Sequence, residues 1–124
     1  MTGVEVSLKT LLTEIEGALG AAVVDYTSGM ALGTLGGGKN LDLSVAAAGN
    51  TDVIRAKMRT METLGLKDKI EDILITLGTQ YHLIRPVAGR SGNGLCIYVI
   101  IDKARSNLAM ARHRLRQTEE QLEV

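Results

Sequence analysis

The stretch that decides the fold is LCIYVIID, Leu95–Asp102, in which every residue before the terminal aspartate is apolar. A strand with one solvent-exposed face alternates apolar and polar residues, and this stretch does not alternate. Both of its faces should therefore be buried. The stretch predicts a central strand in a sheet that is covered by other elements on both sides.

Two hairpins are predicted around this strand. The first is AAVVDYTSGMALGTL, Ala21–Leu35, with a turn at Tyr26–Gly29 between an apolar strand and a shorter return strand. The second is IEDILITLGTQYHLIRPV, Ile70–Val87, in which alternating apolar residues flank a two-residue Gly78–Thr79 turn. Together with the central strand they give a five-stranded, mainly antiparallel sheet.

Three helices complete the predicted order α-β-β-α-β-β-β-α. Leucines and isoleucine at helical spacing indicate a first helix, with Ser7 as a candidate cap. The second helix is expected from Asp42 to about Leu64, with Gly65 as its stop signal. A last helix is expected from near Lys103. We therefore predict an α+β fold in which residues 1–124 form one domain.

Composition argues against several classes of protein. The chain has 14 basic and 14 acidic residues, three Tyr, and neither Phe nor Trp. Nucleic-acid binding usually needs a basic excess or aromatic stacking platforms, so no nucleic-acid partner is expected. No apolar run approaches the roughly 18 residues that span a bilayer, so no membrane insertion is expected. A single cysteine, Cys96, and the lack of a leader favour a cytoplasmic protein.

The stretch GTLGGGKN, Gly33–Asn40, nearly matches the phosphate-binding pattern G-x-x-x-x-G-K. Asn40 stands where that pattern needs a hydroxyl for Mg²⁺, and the preceding strand is the return arm of a hairpin. The chain also lacks the repeated β-α crossovers of a parallel nucleotide-binding sheet. We interpret the glycines as a connector, with a nucleotide hydrolase as the alternative, and Asp102 as the polar end of a buried strand.

Other candidate chemistry is sparse, and we predict no catalytic residue, no metal and no cofactor. His82 and His113 are the only histidines and lie in different elements, without the clustered His and Cys ligands of a metal site. A Cys96–His82 nucleophile pair is an alternative, but Cys96 is expected to be a buried, inert thiol.

Two charged stretches have both a functional and a structural interpretation. Glu71 and Asp72 are a candidate carboxylate pair, but adjacent strand residues point to opposite faces. The basic stretch ARHRLRQ, Ala111–Gln117, suits an acidic partner or anionic lipid heads. A solvated helix with compensating acidic residues just beyond it is the favoured interpretation.

The order of elements and two stretches, GAAVVDYTSGMALG (Gly20–Gly33) and LCIYVIID, resemble the roadblock/dynein light-chain family. The resemblance covers nearly the whole chain and is strongest to short bacterial, MglB-like members. Asp25, Ser28 and Gly29 occupy the places of the family's D-x-x-G turn. The resemblance implies a roadblock/profilin-like fold.

The same resemblance implies a function. It suggests a homodimeric, non-catalytic regulator or adaptor of a small Ras-like GTPase, which binds through the paired second helices. The alternative is a nucleotide-independent scaffold for a signalling or motility complex. The expected dimer interface is Ala47, Ile54, Ile73 and Ile75. The expected partner-binding set is Asp52, Arg55, Met58, Arg59 and Glu62.

Overall fold

The computed structural model describes residues 3–88 and 94–124, and the predicted order of elements is confirmed within them. The elements are α1 (Val4–Glu14), β1 (Ala18–Asp25), β2 (Met30–Gly36), α2 (Leu43–Leu64), β3 (Ile73–Thr76), β4 (Gln80–Pro86), β5 (Leu95–Asp102), a 3₁₀ turn (Lys103–Arg105) and α3 (Leu108–Gln121). The loop expected between β4 and β5 falls mostly outside the described residues.

The five strands form one antiparallel sheet in the order β2-β1-β5-β4-β3. The predicted central position of β5 is confirmed. Alternate residues of β5 face opposite layers of the core: Ile97 and Val99 belong to one, Tyr98 and Ile100 to the other. None of these four side chains is more than 1 % exposed. Burying each of them contributes about 1.5–3 kcal/mol, so both layers depend on this strand.

Helices cover both faces of the sheet. On one face α1 and α3 pack through Leu8, Leu11 and Leu115. On the other face lies α2 alone, which packs through Leu43 and Ile54. The domain is therefore a three-layer arrangement with one helix on one side and two on the other. None of the helices in the described ranges is long and apolar enough to span a bilayer.

The ends of α2 lie where the sequence places them. Asp42 caps the first turn, and its carboxylate accepts hydrogen bonds from the amides of Ser44 at 3.0 Å and Val45 at 3.2 Å. Gly65 adopts a left-handed φ of 69°. The amides of Gly65 and Leu66 then donate back to the last turn, as in a Schellman motif.

Two helix starts differ from the sequence prediction. Ser7 does not cap α1; it lies buried inside the helix, and Gly3 is the N-cap residue. The last helix begins at Leu108 instead of Lys103, with the Asn107 side chain accepting from the Met110 amide at 3.1 Å. The reason is local: Asp102 binds the Ala104 amide at 3.2 Å and so stabilises a separate 3₁₀ turn.

Two ion pairs attach α3 to the β3 side of the sheet. Glu119 pairs with Arg85 of β4, and its second oxygen accepts from the Ala88 amide at 3.0 Å. Arg112 makes a bidentate contact with Asp72, at 2.9 and 3.1 Å. Both Arg85 and Glu119 are largely shielded from water, so neither charge is easily rehydrated if the other is removed.

We predict that Glu119→Ala lowers the free energy of unfolding by about 2–3 kcal/mol, because it leaves a shielded guanidinium and the Ala88 amide without their acceptor. Urea denaturation followed by circular dichroism measures the change. Glu120→Ala, at the exposed neighbouring position, is the matched control and should change stability by less than about 0.5 kcal/mol. Equal losses in the two variants would contradict this account of the pair.

Candidate functional site

The candidate site is the groove beside α2, on the side of the helix that faces β3. Because α2 packs mainly over β1 and β2, the same face of β4 and β3 is less covered. A cavity of about 1230 Å³ lies at one end, where Val53 of α2 faces Ile73 of β3. A second cavity, of about 340 Å³, lies at the other end between Val45 and His82. Residues of α2 line both cavities, and we call the surface between α2 and β3 that includes them the α2–β3 groove.

One stripe of the outer surface of α2, beside its exposed charged residues, is apolar and smooth for a helix face turned to solvent. Val45 is 69 % exposed and Val53 is 36 % exposed. Between and beyond them the exposed positions include Ala48, Gly49 and Ala56. An amphipathic helix that packs only on its own sheet would carry polar residues here. This surface has the composition of a helix that contacts another backbone closely.

The expected partner-binding residues lie together on α2. Asp52, Arg55, Arg59 and Glu62 are exposed and follow the three- and four-residue spacing of one helix face. Met58 is half-buried and packs against the core beneath α2, so it offers only part of its surface. These placements bring the charged members of the set together.

Arg55 also has a structural contact. Its guanidinium Nη2 donates to the backbone carbonyl of Thr27 in the β1–β2 turn. That turn is built as the sequence predicts: the Asp25 carboxylate accepts from the Thr27 amide at 2.9 Å and from its hydroxyl at 2.6 Å. The hydrogen bonds from Thr27 lower the pKa of Asp25. Gly29 closes the turn with φ of 82°, a conformation that favours glycine.

The expected interface residues separate into two groups. Ile73 and Ile75 lie half-buried on the edge strand and border the α2–β3 groove. Ala47 and Ile54 are 0 % exposed, because they face the sheet and form the core under α2. In the single chain Ala47 and Ile54 therefore present no surface to a second copy.

Val45 and Val53 are the residues that sequence reasoning missed. The helical spacing of the apolar residues in α2 could have revealed the position of Val45. Leu43, Ala47 and Ile54 share the sheet-facing side of α2, so Val45 must lie on the opposite side.

The glycine-rich stretch is part of the scaffold and does not form a phosphate cradle. Gly36 ends β2, and a Cβ there would lie 2.6 Å from the Leu19 carbonyl. A Cβ at Gly37 would lie 2.6 Å from the Leu41 carbonyl. At the start of α2, where a phosphate loop presents free amides, the Asp42 carboxylate already accepts two of them. This geometry agrees with the connector interpretation.

No family model and no curated protein matches the sequence. Solved structures do match. Myxococcus xanthus MglB is 16 % identical and superposes with a TM-score of 0.82, covering 94 % of this chain and 82 % of that one. A roadblock/LC7 domain from Streptomyces avermitilis is 12 % identical, with a TM-score of 0.79 over 97 % and 94 % of the two chains.

This chain has the roadblock/LC7 fold. A third structure, an MglB in a tetrameric arrangement, is 16 % identical with a TM-score of 0.79, over 95 % of this chain and 83 % of that chain. The fold implied by the resemblance of the two quoted stretches is thereby confirmed.

Within this roadblock fold the other candidate chemistry is held in structural contacts. Among residues 3–88 and 94–124, no three His, Cys, Asp or Glu side chains converge as metal ligands. Of the basic stretch, Arg112 binds Asp72, while Arg114 lies 3.8 Å from Glu14. Arg116 is exposed on α3.

Cys96 and His82 are not brought together. His82 pairs with Ile100, four residues along β5 from Cys96, which is about 13 Å at about 3.3 Å per residue. The His82 ring bonds to Tyr98 and Gln80 instead. Burial raises the pKa of the Cys96 thiol to about 12, so the thiolate is scarcely populated at neutral pH.

We predict that native protein at about pH 8 reacts with a thiol reagent such as Ellman's reagent at least about 100-fold more slowly than the same protein in guanidinium chloride. The physical reason is that both deprotonation and access require the sheet to open. The absorbance of the released thiolate measures the rate, and the denatured protein is the control. Rapid reaction of the folded protein would show that Cys96 is accessible.

Proposed function

We propose that the chain is a homodimeric, non-catalytic regulator or adaptor of a small Ras-like GTPase in the cytoplasm, and that the paired second helices form the docking surface. The observation that carries this proposal is the open edge of β3 beside the apolar outer surface of α2. The likeness in fold to MglB and to roadblock/LC7 domains supports it.

The edge of β3 suits a second copy of the chain. Among the described residues, β3 pairs only with β4, so its other side presents unpaired backbone groups. Its half-buried Ile73 and Ile75 lie on the groove side of the sheet. A twofold axis at this edge would join two five-stranded sheets into one and satisfy those groups.

The same axis would place the second copy's α2 along the α2–β3 groove. Val53 lines one cavity of this groove with Ile73, and Val45 lines the other with His82, so α2 borders the β3 side of the sheet at both places. Gly49 and Ala56 allow two helix backbones to approach closely. Covering the exposed valines would stabilise the dimer by about 1.5–3 kcal/mol per side chain if they were fully buried.

We predict that Ile75→Asp weakens self-association at least about 100-fold, because a carboxylate would have to be desolvated at the centre of the edge. Sedimentation velocity over a concentration series measures the association. Leu32→Asp is the matched control: it places the same charge on the opposite edge strand, β2, at a side chain that is 45 % exposed.

The proposal requires the Leu32 variant to remain dimeric and the Ile75 variant to keep a native circular dichroism spectrum. A wild-type chain that stays monomeric at high concentration would contradict the homodimer. Loss of the dimer in both variants would show that a charge on β2 acts like a charge on β3, which would contradict an interface at the β3 edge.

The α2 surface would bind the GTPase through its charged set. Asp52 and Glu62 alternate with Arg55 and Arg59, so the surface offers both signs of charge and fixes the orientation of a partner. Arg55 is engaged with the β1–β2 turn, which leaves Arg59 as the better contact. Regulation would follow from a difference in affinity for the two nucleotide states of the partner.

We predict that immobilised protein retains a small Ras-like GTPase from lysate more strongly in one nucleotide state than in the other. Arg59→Glu should reduce that retention at least about tenfold, because it reverses a central charge on the surface. Lys9→Glu reverses an exposed charge on α1, which packs on the other face of the sheet, and should have no effect. Mass spectrometry identifies and quantifies the retained protein.

Three outcomes are distinguishable in that experiment. Nucleotide-dependent retention that Arg59→Glu removes supports the regulator. Equal retention in both nucleotide states would favour the nucleotide-independent scaffold instead. Equal losses from Arg59→Glu and Lys9→Glu would contradict the α2 docking surface.

A further inference from the structure

A chain of polar groups crosses the floor of the α2–β3 groove. The Tyr98 hydroxyl lies 2.7 Å from Nδ1 of His82, and Nε2 of His82 lies 2.9 Å from Oε1 of Gln80. A carbonyl oxygen only accepts, so Nε2 carries a proton and donates to Gln80. In the neutral ring, Nδ1 then accepts from the Tyr98 hydroxyl. The arrangement satisfies both nitrogens of an uncharged histidine.

His82 occupies the part of the groove that a second copy would cover. It pairs with Ile75 of β3 on one side and with Ile100 of β5 on the other. Its ring lines the 340 Å³ cavity with Val45 and Ala46 of α2. The side chain is half-buried in the single chain, so the ring still contacts water there. A second helix in the groove would remove that water.

The groups around the ring favour its neutral form. From the segment before α2, the cavity is lined by Lys39 and by Asp42, whose carboxylate is engaged by two backbone amides. From β5 comes Tyr98, whose pKa burial raises. Across the ladder β3 presents Ile75, which carries no charge. Within the described residues, neither hydrogen bond to the ring comes from a carboxylate that would stabilise an imidazolium.

From α2 the groove is lined near His82 by Leu43, Val45 and Ala46, none of which is charged. Asn50 of the same helix lies beside the Tyr98 hydroxyl, but its amide nitrogen makes no hydrogen bond of normal geometry within the described chain. The helix therefore supplies no counter-charge. A positive ring enclosed here would have Lys39 in the same cavity, and its only acidic neighbour there among the described residues, Asp42, is already engaged by two backbone amides. The Tyr98 hydroxyl would have to reverse from donor to acceptor, and the charge would still have to be desolvated.

We propose that protonation of His82 weakens the self-association of the chain, so that the two copies separate as the pH falls. The inference rests on the homodimer proposed above. It adds to that proposal the side chain whose protonation makes self-association depend on pH. The neutral ring fits beneath a second α2, and the charged ring does not.

The sign follows from linkage. Burial already lowers the pKa of His82 in the single chain, and covering the groove lowers it further. Self-association therefore has its full strength above the ordinary histidine range and weakens as the pH falls through the pKa of the single chain. Each unit by which the two pKa values differ contributes about tenfold to the dissociation constant per site. A dimer holds two such sites, so the effect reaches about 100-fold per unit.

The experiment is sedimentation equilibrium from about pH 8 to about pH 5.5, the range in which histidine changes charge. The dissociation constant of the wild type should rise at least about tenfold across this range. His82→Gln, which keeps polarity and cannot become charged in this range, should show a flat profile. His113→Gln is the matched control, because His113 is the only other histidine and lies exposed on α3. It should retain the wild-type profile.

The outcomes separate this inference from the proposed dimer. A wild-type dimer with a flat profile, or a pH dependence that persists in His82→Gln, would overturn the inference and leave the dimer standing. A chain that is monomeric at about pH 8 at every concentration would overturn both. If His82→Gln does not fold, proton NMR titration of His82 in the wild type decides instead. Its pKa must then fall as protein concentration rises, and a constant value contradicts the inference.

Discussion

The burial of β5 on both faces is the constraint from which the rest of this structure follows. A strand that is apolar at every position cannot lie at an edge or under a single layer, because one face would then meet water. The chain therefore needs neighbours on both sides of β5 in the sheet and helices above and below it. The β1–β2 and β3–β4 hairpins supply the neighbours, and α1 with α3 on one face and α2 on the other supply the layers.

The two layers are unequal, and the inequality determines where the chain can interact. Two helices cover one face of the sheet, with ion pairs from Arg112 and Glu119 extending that cover to the β3 side. One helix covers the other face, and it lies over β1 and β2. The uncovered remainder is bounded by a short edge strand and by a helix surface of valine, alanine and glycine. The single helix on this face buries the core residues beneath it, but it leaves the part of the sheet over β3 and β4 less covered.

The sequence allowed the order of elements, the central strand and both ends of α2 to be predicted, because each rests on a local rule. The capping of α2 by Asp42 and its termination at Gly65 need only neighbouring backbone groups. The start of α3 was misplaced, because the competing contact of Asp102 with Ala104 gives a 3₁₀ turn that helix periodicity does not reveal. For the candidate site, the charged set on α2 was brought together as expected. Ala47 and Ile54, expected at the dimer interface, lie on the sheet-facing side of α2, and which side of a helix meets the sheet cannot be read from the helix alone.

The hydrogen-bonded ring of His82 could not be anticipated in the same way. Its partners Gln80 and Tyr98 come from two strands, and only their register brings them to one ring. A lone histidine on a strand is normally an unremarkable core residue. Its position under an unfilled groove is a property of the assembled sheet, which no window of sequence contains.

The glycine connector between β2 and α2 has a geometric consequence of its own. Gly37 donates its amide to the Leu19 carbonyl at 2.8 Å, and a Cβ on Gly20 would lie 3.0 Å from the Gly37 nitrogen. Two backbones thus touch just before the helix begins, which fixes the length of chain available to reach Asp42. The next four residues must carry the chain from this contact to the cap of α2, and the bridge between Gly38 and Leu41 folds them into a compact turn, with the Leu41 amide donating to the Gly38 carbonyl at 3.1 Å. The first turn of α2 is thereby held beside the end of β2, so the glycines determine where the helix enters its layer over the sheet.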